Sequence, residues 1–193
     1  MRKKSHISLA LQIMDGLGDT SGLRHKYVFC IGSILPDCLP SFLTTPHRME
    51  CTYELVQKKI HSFIDKYDAM SGCNYRRTLQ LGQIAHYIAD YFTFPHNEHY
   101  EGSMMDHCHY EKDLKQELKR YIKSGDALEQ GVDLCIFDSR EELREYIEQM
   151  HREYMKERSD IYNDVRYIVR VSLVVVASIL QMSRAKQGQL VYA

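Results

Sequence analysis

The sequence predicts an all-α fold in a single multi-helix domain that spans residues 1–193. Apolar residues recur at the 3.6-residue spacing of amphipathic helices in segment after segment, and no segment shows the alternating pattern of a β-strand. The four prolines and ten glycines gather at a few places, as is typical of helix ends. No internal repeat or flexible linker divides the chain, and 193 residues suffice to bury one core.

Seven segments are predicted to be helical, and two of them carry a recognisable N-terminal cap. Ser139 with Glu142 is typical of a capping box before the sixth helix, and Asn74 is the expected N-cap of the fourth. Residues 36–46 hold three of the four prolines and are predicted to be an irregular connection. The predicted helices are 5–15, 23–35, 50–70, 75–93, 106–123, 140–157 and 160–186.

The composition directs the search for function to a local site. The formal net charge is -1, which gives no overall attraction to nucleic acid or to anionic lipid. Nucleic acid stays an open option as a partner, but no basic stripe with interleaved aromatic residues supports it. Ten histidines in 193 residues is an excess, and because histidine is a common metal ligand, this excess hints at metal chemistry.

The cysteines and the apolar segments bear on location. The six cysteines are scattered without a C-x-x-C pair, which favours free thiols in a reducing, cytoplasmic compartment. The basic and apolar start is interrupted by Gln12 and Asp15, and no cleavage site follows, so export is disfavoured. The apolar run 171–182 is too short to span a bilayer, so we expect a buried core helix and no transmembrane segment. The oligomeric state is left open.

The pattern richest in metal-ligand side chains lies at the end of the fourth predicted helix. His86 and Asp90 stand four residues apart, which places them on one helix face at a separation suited to sharing a metal ion. Pro95 then ends the helix, and His96 is free to turn back toward the same place.

A second pair with the same spacing opens the next helix. His107 and Glu111 are also four residues apart, so two pairs on adjacent antiparallel helices form a plausible dinuclear site. Two closely spaced ions suit phosphoester hydrolysis, because they activate water and neutralise charge on phosphate oxygens. Mixed histidine and carboxylate ligands suit zinc.

The motif resembles that of the zinc-dependent phospholipase C and single-strand-specific nuclease superfamily, H-Y-x-G/A-D followed by a proline and a histidine. Its later H-x-x-x-E element also matches, at His107 and Glu111, and Tyr110 fits before the glutamate. The ligands that the family keeps earlier in the chain correspond in order to His6, Asp37 and His47. The core motif is matched by His86, Tyr87, Ala89, Asp90, Pro95 and His96.

The resemblance implies two zinc sites and a zinc-dependent hydrolase of phosphoesters acting on a small molecule or a lipid. One zinc would be held by Asp37, His47, His86 and Asp90, and a second by His96, His107 and Glu111. A third zinc in the family uses the first-helix histidine, here His6, the Asp90 carboxylate and the amino group of an N-terminal tryptophan. This chain contains no tryptophan, so the third ion is left open.

We further hypothesise that Asp37, besides its ligand role, is catalytic and orients or deprotonates a zinc-bound water that attacks phosphorus. Cys38 stands where the phosphatidylcholine-hydrolysing members keep an aromatic residue, so a choline pocket is not supported.

Two other functions are weighed against the hydrolase. The first is a non-catalytic helical binding module stabilised by metal at the same ligands. The second, a phosphohydrolase built on a His-Asp dipeptide, fits poorly, because the chain has Asp106 and His107 in the reverse order. Cys108 is interpreted as a packing residue, and His109 should point away from the cluster. The isolated histidines are predicted to be ordinary core or surface residues: His25, His61, His99 and His151.

Overall fold

The computed structural model describes residues 1–18, 23, 25–40, 45–67, 72–125, 135–157 and 160–191. These residues form seven α-helices and two short 3₁₀ turns without any β-strand, so the all-α prediction is confirmed. The 3₁₀ turns are Pro36–Cys38 and Phe94–His96. The helices are α1 (Lys3–Leu17), α2 (Lys26–Ile34), α3 (Met49–Asp65), α4 (Tyr75–Tyr91), α5 (Met104–Ser124), α6 (Arg140–Tyr154) and α7 (Ile161–Val191).

Side-chain caps fix where three helices begin. Asn74 and Ser139 each accept a hydrogen bond from the backbone amide three residues on, as predicted. α5 begins before residue 106, where the sequence analysis placed its start, because Ser103 and Asp106 form a reciprocal capping box ahead of it. The S-x-x-D pattern at these two positions is the signal that would have found this start.

Four helices end earlier than predicted, by one residue in α2 and by three in α6, which ends at Tyr154. α4 stops at Tyr91, because the side-chain amide of Asn97 donates to the backbone carbonyls of Tyr91 and Thr93 at the helix end. α3 ends at Asp65 rather than at residue 70, and residues 68–71 lie outside the described part of the chain. α2 begins at Lys26 rather than at residue 23.

α7 is the central helix of the core and packs against α1, α3, α4, α5 and α6. By length and composition Ile161–Ala185 could cross a membrane, yet 78% of its apolar window is buried inside the protein. Such burial is typical of the core helix of a globular domain, as predicted from its apolar residues. Its fully buried apolar side chains are Val165, Ile168, Val169, Val171, Leu173, Val175, Val176 and Ile179.

α2 and α4 touch backbone to backbone at a pair of glycines. A Cβ atom on Gly82 would lie 2.5 Å from the carbonyl oxygen of Phe29, and one on Gly32 would lie 2.4 Å from that of Leu79. Because real Cβ atoms do not approach so closely, both positions require glycine. This contact carries the end of α2, including the Ser33 carbonyl, against the face of α4 that holds His86.

Candidate metal centre

The first predicted ligand set converges from three separate segments. Asp37 lies in the 3₁₀ turn Pro36–Cys38, and His47 lies just before α3. His86 and Asp90 lie one turn apart on α4, where helical spacing puts them on one face. One ligand atom from each of the four side chains lies within 4.8 Å of the others.

The separations in this set match tetrahedral zinc. His86 Nε2 lies 3.0 Å from His47 Nδ1, and Asp90 Oδ2 lies 3.2 Å and 3.3 Å from these two nitrogens. Asp37 Oδ1 lies 3.6 Å from His47 Nδ1 and 3.5 Å from His86 Nε2. With zinc about 2.0–2.2 Å from each donor, neighbouring ligand atoms of a tetrahedron lie roughly 3.3–3.6 Å apart. The residues present therefore fit this metal.

The second predicted set comes from the turn after α4 and the start of α5. His96 ends the 3₁₀ turn Phe94–His96, and His107 and Glu111 occupy the first turns of α5. Glu111 Oε1 lies 3.2 Å from His107 Nε2 and 3.5 Å from His96 Nε2, and the three ligand atoms are mutually within 4.8 Å. Their side chains are 12–25% exposed, against 0–10% in the first set, so the second set is the more open.

The carboxylate of Asp90 lies between the two sets. Its Oδ2 faces His47 and His86, whereas its Oδ1 lies 3.3 Å from Nε2 of His6. His6 is buried, and neither of its ring nitrogens makes a hydrogen bond to the described residues. An unbonded buried imidazole is costly, and a bound metal ion would satisfy it. His6 and Asp90 thus lie together as the resemblance implied.

The amino group of Met1 also lies in the cluster, which the sequence analysis did not foresee. It lies 2.7 Å from Asp90 Oδ1, 2.9 Å from His96 Nε2 and 3.1 Å from Glu111 Oε1. Burial alone would lower the pKa of this amine, but the facing carboxylates outweigh burial and raise it. The structure therefore places a cation between His6 and the second ligand set.

The electrostatics favour deprotonated Asp90 and Glu111 and a neutral His6, the forms that bind metal. Although burial opposes it, the neighbouring histidines and the amino group hold the pKa of Asp90 well below its usual range. Hydrogen bonds from His107 and His96 likewise overcome burial and lower the pKa of Glu111. Burial lowers the pKa of His6 to about 3. Asp37 differs, because burial raises its pKa.

A backbone contact orients His86. Its Nδ1 lies 2.8 Å from the carbonyl oxygen of Ser33, so Nδ1 carries the proton and donates, and Nε2 keeps its lone pair toward the cluster. Such contacts orient metal-binding histidines. The Gly32 and Gly82 contact brings this carbonyl within reach.

Two further side chains support the turn that carries His96, and the sequence analysis missed this support. His151 Nε2 on α6 lies 3.0 Å from the Asn97 side-chain oxygen, so His151 donates there. Asp164 on α7 accepts a hydrogen bond from the backbone amide of Phe94. His151 is buried in a packing role, as predicted for an isolated histidine, but it lies close to the cluster.

The remaining predictions about single residues concern groups outside the cluster. His25 is half-buried and stacks on Tyr75, whereas His61, His99 and His109 are exposed. The six cysteines are free thiols, and Cys108, interpreted as a packing residue, is exposed. The packing prediction for Cys108 is therefore wrong, because the opening turn of α5 projects this side chain into solvent.

The cluster opens on a cleft of about 360 Å³. His47 of the first set and His96 and His107 of the second set line it, and so does the half-buried Arg48, which precedes α3. A guanidinium beside a metal cluster offers charged donors to the oxygens of an anionic ligand. The volume lies in the range of small-ligand sites, about 300–1,000 Å³. The cleft is lined by Pro46, His47, Arg48, Pro95, His96, Tyr100, Gly102, Ser103, Met104 and His107.

Comparison with known proteins agrees with the motif. A family model described as zinc dependent phospholipase C matches residues 5–161. The matched range contains every predicted metal ligand and ends where α7 begins. No curated protein and no solved structure matches the chain.

Proposed function

This chain belongs to the zinc-dependent phospholipase C family, and from that premise we propose that it hydrolyses phosphoesters with zinc held by the two ligand sets. The observation that carries the proposal is the opening of the cluster onto a cleft. Structural zinc sites are closed, whereas catalytic sites keep a coordination position accessible to water and substrate. His96, Glu111 and His107 are 12%, 15% and 25% exposed, which supports a catalytic site.

The metal would be held by residues whose ligand atoms already lie together. One zinc would be bound by Asp37, His47, His86 and Asp90, and another by His96, His107 and Glu111. A third zinc would use His6 and Oδ1 of Asp90, and it would have to replace the hydrogen bond that this oxygen accepts from the Met1 amino group. When bound, zinc lowers the pKa of water and offsets the charge of phosphate oxygens.

Asp37 in the first ligand set and Arg48 in the cleft would have separate tasks in the proposed reaction. Asp37 is the most exposed member of the first set, with 10% of its side chain accessible, whereas the others are 0–4% exposed. Its carboxylate would orient the attacking water and accept the proton that this water loses as its oxygen bonds to phosphorus. The phosphorus–oxygen ester bond would break in the same reaction, and the leaving alkoxide would take a proton from solvent. Arg48 would pair with a phosphate oxygen and hold the substrate in the cleft.

The proposed substrate is a phosphodiester of a small molecule or a lipid. The cleft of about 360 Å³ is large enough for a phosphate and its neighbouring group. Cys38 beside the catalytic candidate is exposed and offers no aromatic face for a quaternary ammonium group. A choline headgroup is therefore disfavoured.

The test is turnover of a generic phosphodiester by Asp37→Asn, with zinc measured in the same samples. We expect a loss of at least about 100-fold in kcat, because a positioned general base contributes that much or more. Asp113→Asn makes the same chemical change at an exposed site on α5 and should behave like the wild type. Near-normal turnover by Asp37→Asn with unchanged zinc would contradict the role. A panel of phosphomonoesters, phosphodiesters, phospholipids and single-stranded nucleic acid would identify the substrate class.

A non-catalytic module stabilised by metal is the competing function, and chelation separates the two. The apolar core around α7 is buried independently of the ligand sets, so we expect the hydrolase to keep its helical circular dichroism after zinc is removed. A module folded by zinc would instead unfold with its metal. Bound zinc, no turnover on the panel and unfolding on chelation would together favour the module.

A further inference from the structure

A buried carboxylate on α7 lies behind the second ligand set. Asp164 is 0% exposed and belongs to neither predicted metal set. Its Oδ1 accepts a hydrogen bond from the hydroxyl of Tyr154, at 2.8 Å. Its Oδ2 accepts two more, from the hydroxyl of Tyr110 and from the backbone amide of Phe94, both at 2.9 Å. The one carboxylate therefore joins α6, α5 and the turn after α4.

Two of the three donors belong to the segments that carry the second ligand set. Phe94 is the first residue of the 3₁₀ turn that ends at His96. Tyr110 lies on α5 between His107 and Glu111. Oδ2 of Asp164 thus fixes the turn that carries His96 relative to α5, the helix that carries His107 and Glu111. The first ligand set has no such link to Asp164 among the described residues.

The charge of Asp164 has no cationic partner among the described residues, and its hydrogen bonds come from neutral donors. Burying a carboxylate in this way is costly, and burial raises the pKa of Asp164. Packing alone would be served at lower cost by an apolar side chain of similar size. The cost of burying the Asp164 carboxylate is explained if its oxygens are needed to hold their hydrogen-bond donors in place.

We propose that Asp164 is a positioning residue, which sets the relative placement of His96, His107 and Glu111 for metal binding. This inference rests on the proposed zinc binding by these residues. Outer contacts of metal ligands typically change metal affinity by about 10-fold to 100-fold when they are lost. The geometry assigns this role to a residue that lies beyond the range matched by the family model.

The test is a zinc titration against a chromophoric chelator with Asp164→Asn. Two reference variants define the classes of binding: His107→Ala removes the contribution of the second set, and His86→Ala removes that of the first. We expect Asp164→Asn to weaken the class that His107→Ala abolishes by at least about tenfold. In Asp164→Asn, the zinc affinity of the class that His86→Ala abolishes should stay within roughly twofold of its wild-type value. Asp113→Asn, the same chemical change at an exposed site on α5, is the matched control.

A double variant separates positioning from a general loss of structure. In the His107→Ala background, Asp164→Asn should cause no further loss of zinc affinity, whereas a general structural defect would weaken the remaining class as well. Equal weakening of both classes, or unchanged affinity in Asp164→Asn, would overturn the inference. If the wild type itself binds no zinc, the proposed function falls along with it. If the wild type binds zinc and Asp164→Asn binds it equally, only the positioning role falls.

Two conservative variants keep the inference testable if Asp164→Asn does not fold. Tyr110→Phe removes only the hydroxyl that ties α5 to Asp164, so it should weaken the second class of zinc binding. Tyr154→Phe removes a hydroxyl from the other carboxylate oxygen, away from the ligand segments, and should bind zinc more like the wild type. Equal zinc affinity in these two variants would contradict the positioning role.

Discussion

The ionisation of Asp164 makes stability depend on pH in a defined window. Burial raises the pKa of this carboxyl from 3.8 to about 6. The folded state holds this proton more tightly than the unfolded chain does. The contribution of the protonated Asp164 carboxyl to stability is therefore fully present well below about pH 4 and is lost as the pH rises through 6. Two pKa units correspond to about 3 kcal/mol. The side chain is 0% exposed, so solvent screening does not reduce this figure.

Replacing Asp164 by asparagine removes this pH dependence. At pH 7 the variant gains about 3 kcal/mol by avoiding the buried charge, and it loses acceptor capacity for one or two donors at about 1–3 kcal/mol each. These effects oppose one another, so a measurement at a single pH is uninformative. The free energy lost with the hydrogen bonds varies little with pH, however. The pH dependence of the difference in unfolding free energy between variant and wild type therefore reports the ionisation of Asp164 alone.

The assay is urea unfolding of both proteins in the presence of chelator between pH 4 and pH 7.5. We expect the unfolding free energy of Asp164→Asn, minus that of the wild type, to rise by about 2.4 kcal/mol across this range, because about 0.6 kcal/mol of the full effect is already lost at pH 4. The same difference for Asp113→Asn, at an exposed site on α5, should stay flat. A change below about 1 kcal/mol for Asp164→Asn, less than one pKa unit, would refute the reasoning that this group is buried and charged at neutral pH.

Three further predictions concern the helix contact, a cap and the cleft. Gly82→Ala sets a Cβ atom against the Phe29 carbonyl, so we expect a loss of about 1–3 kcal/mol in urea unfolding; unchanged stability would mean that α2 and α4 separate freely. Ser103→Ala removes the cap of α5 and should cost about 1 kcal/mol by thermal unfolding, whereas Ser8→Ala, in the interior of α1, should cost less. Arg48→Ala should raise KM for an anionic phosphodiester by about tenfold, equivalent to about 1.4 kcal/mol, with kcat nearly constant. Arg48→Lys should recover part of this loss, and an unchanged KM would exclude substrate contact by Arg48.

The parts of the site that the sequence predicted from the residues themselves are those set by local geometry. His86 and Asp90, like His107 and Glu111, lie one helical turn apart, so helical periodicity alone brings each pair together. The break at Pro95 follows from the chemistry of proline. The helices themselves follow from their apolar spacing, with errors confined to their ends.

Contacts between residues that are far apart in the sequence could be obtained only from the family resemblance or from the structure. Asp37 and His47 approach α4 across an irregular segment, and no spacing rule predicts where such a segment returns. The Asp164 contacts join residues 54 and 70 positions apart, and their sequence signal is a lone aspartate at the start of an apolar helix. Side chains at such separations meet only because whole helices pack against one another. The residue spacing in a single sequence does not specify that packing.

The two oxygens of Asp90 face opposite neighbours, which has a consequence for how the protein takes up metal. If zinc binds on both sides, an ion beside His86 would polarise and order the same carboxylate that an ion beside His6 would use, so the two occupancies would be thermodynamically linked. Each ion then alters the affinity of the other by the same factor. Zinc uptake should depart from the curve for independent sites, and partly loaded preparations should contain a distribution of species set by that coupling.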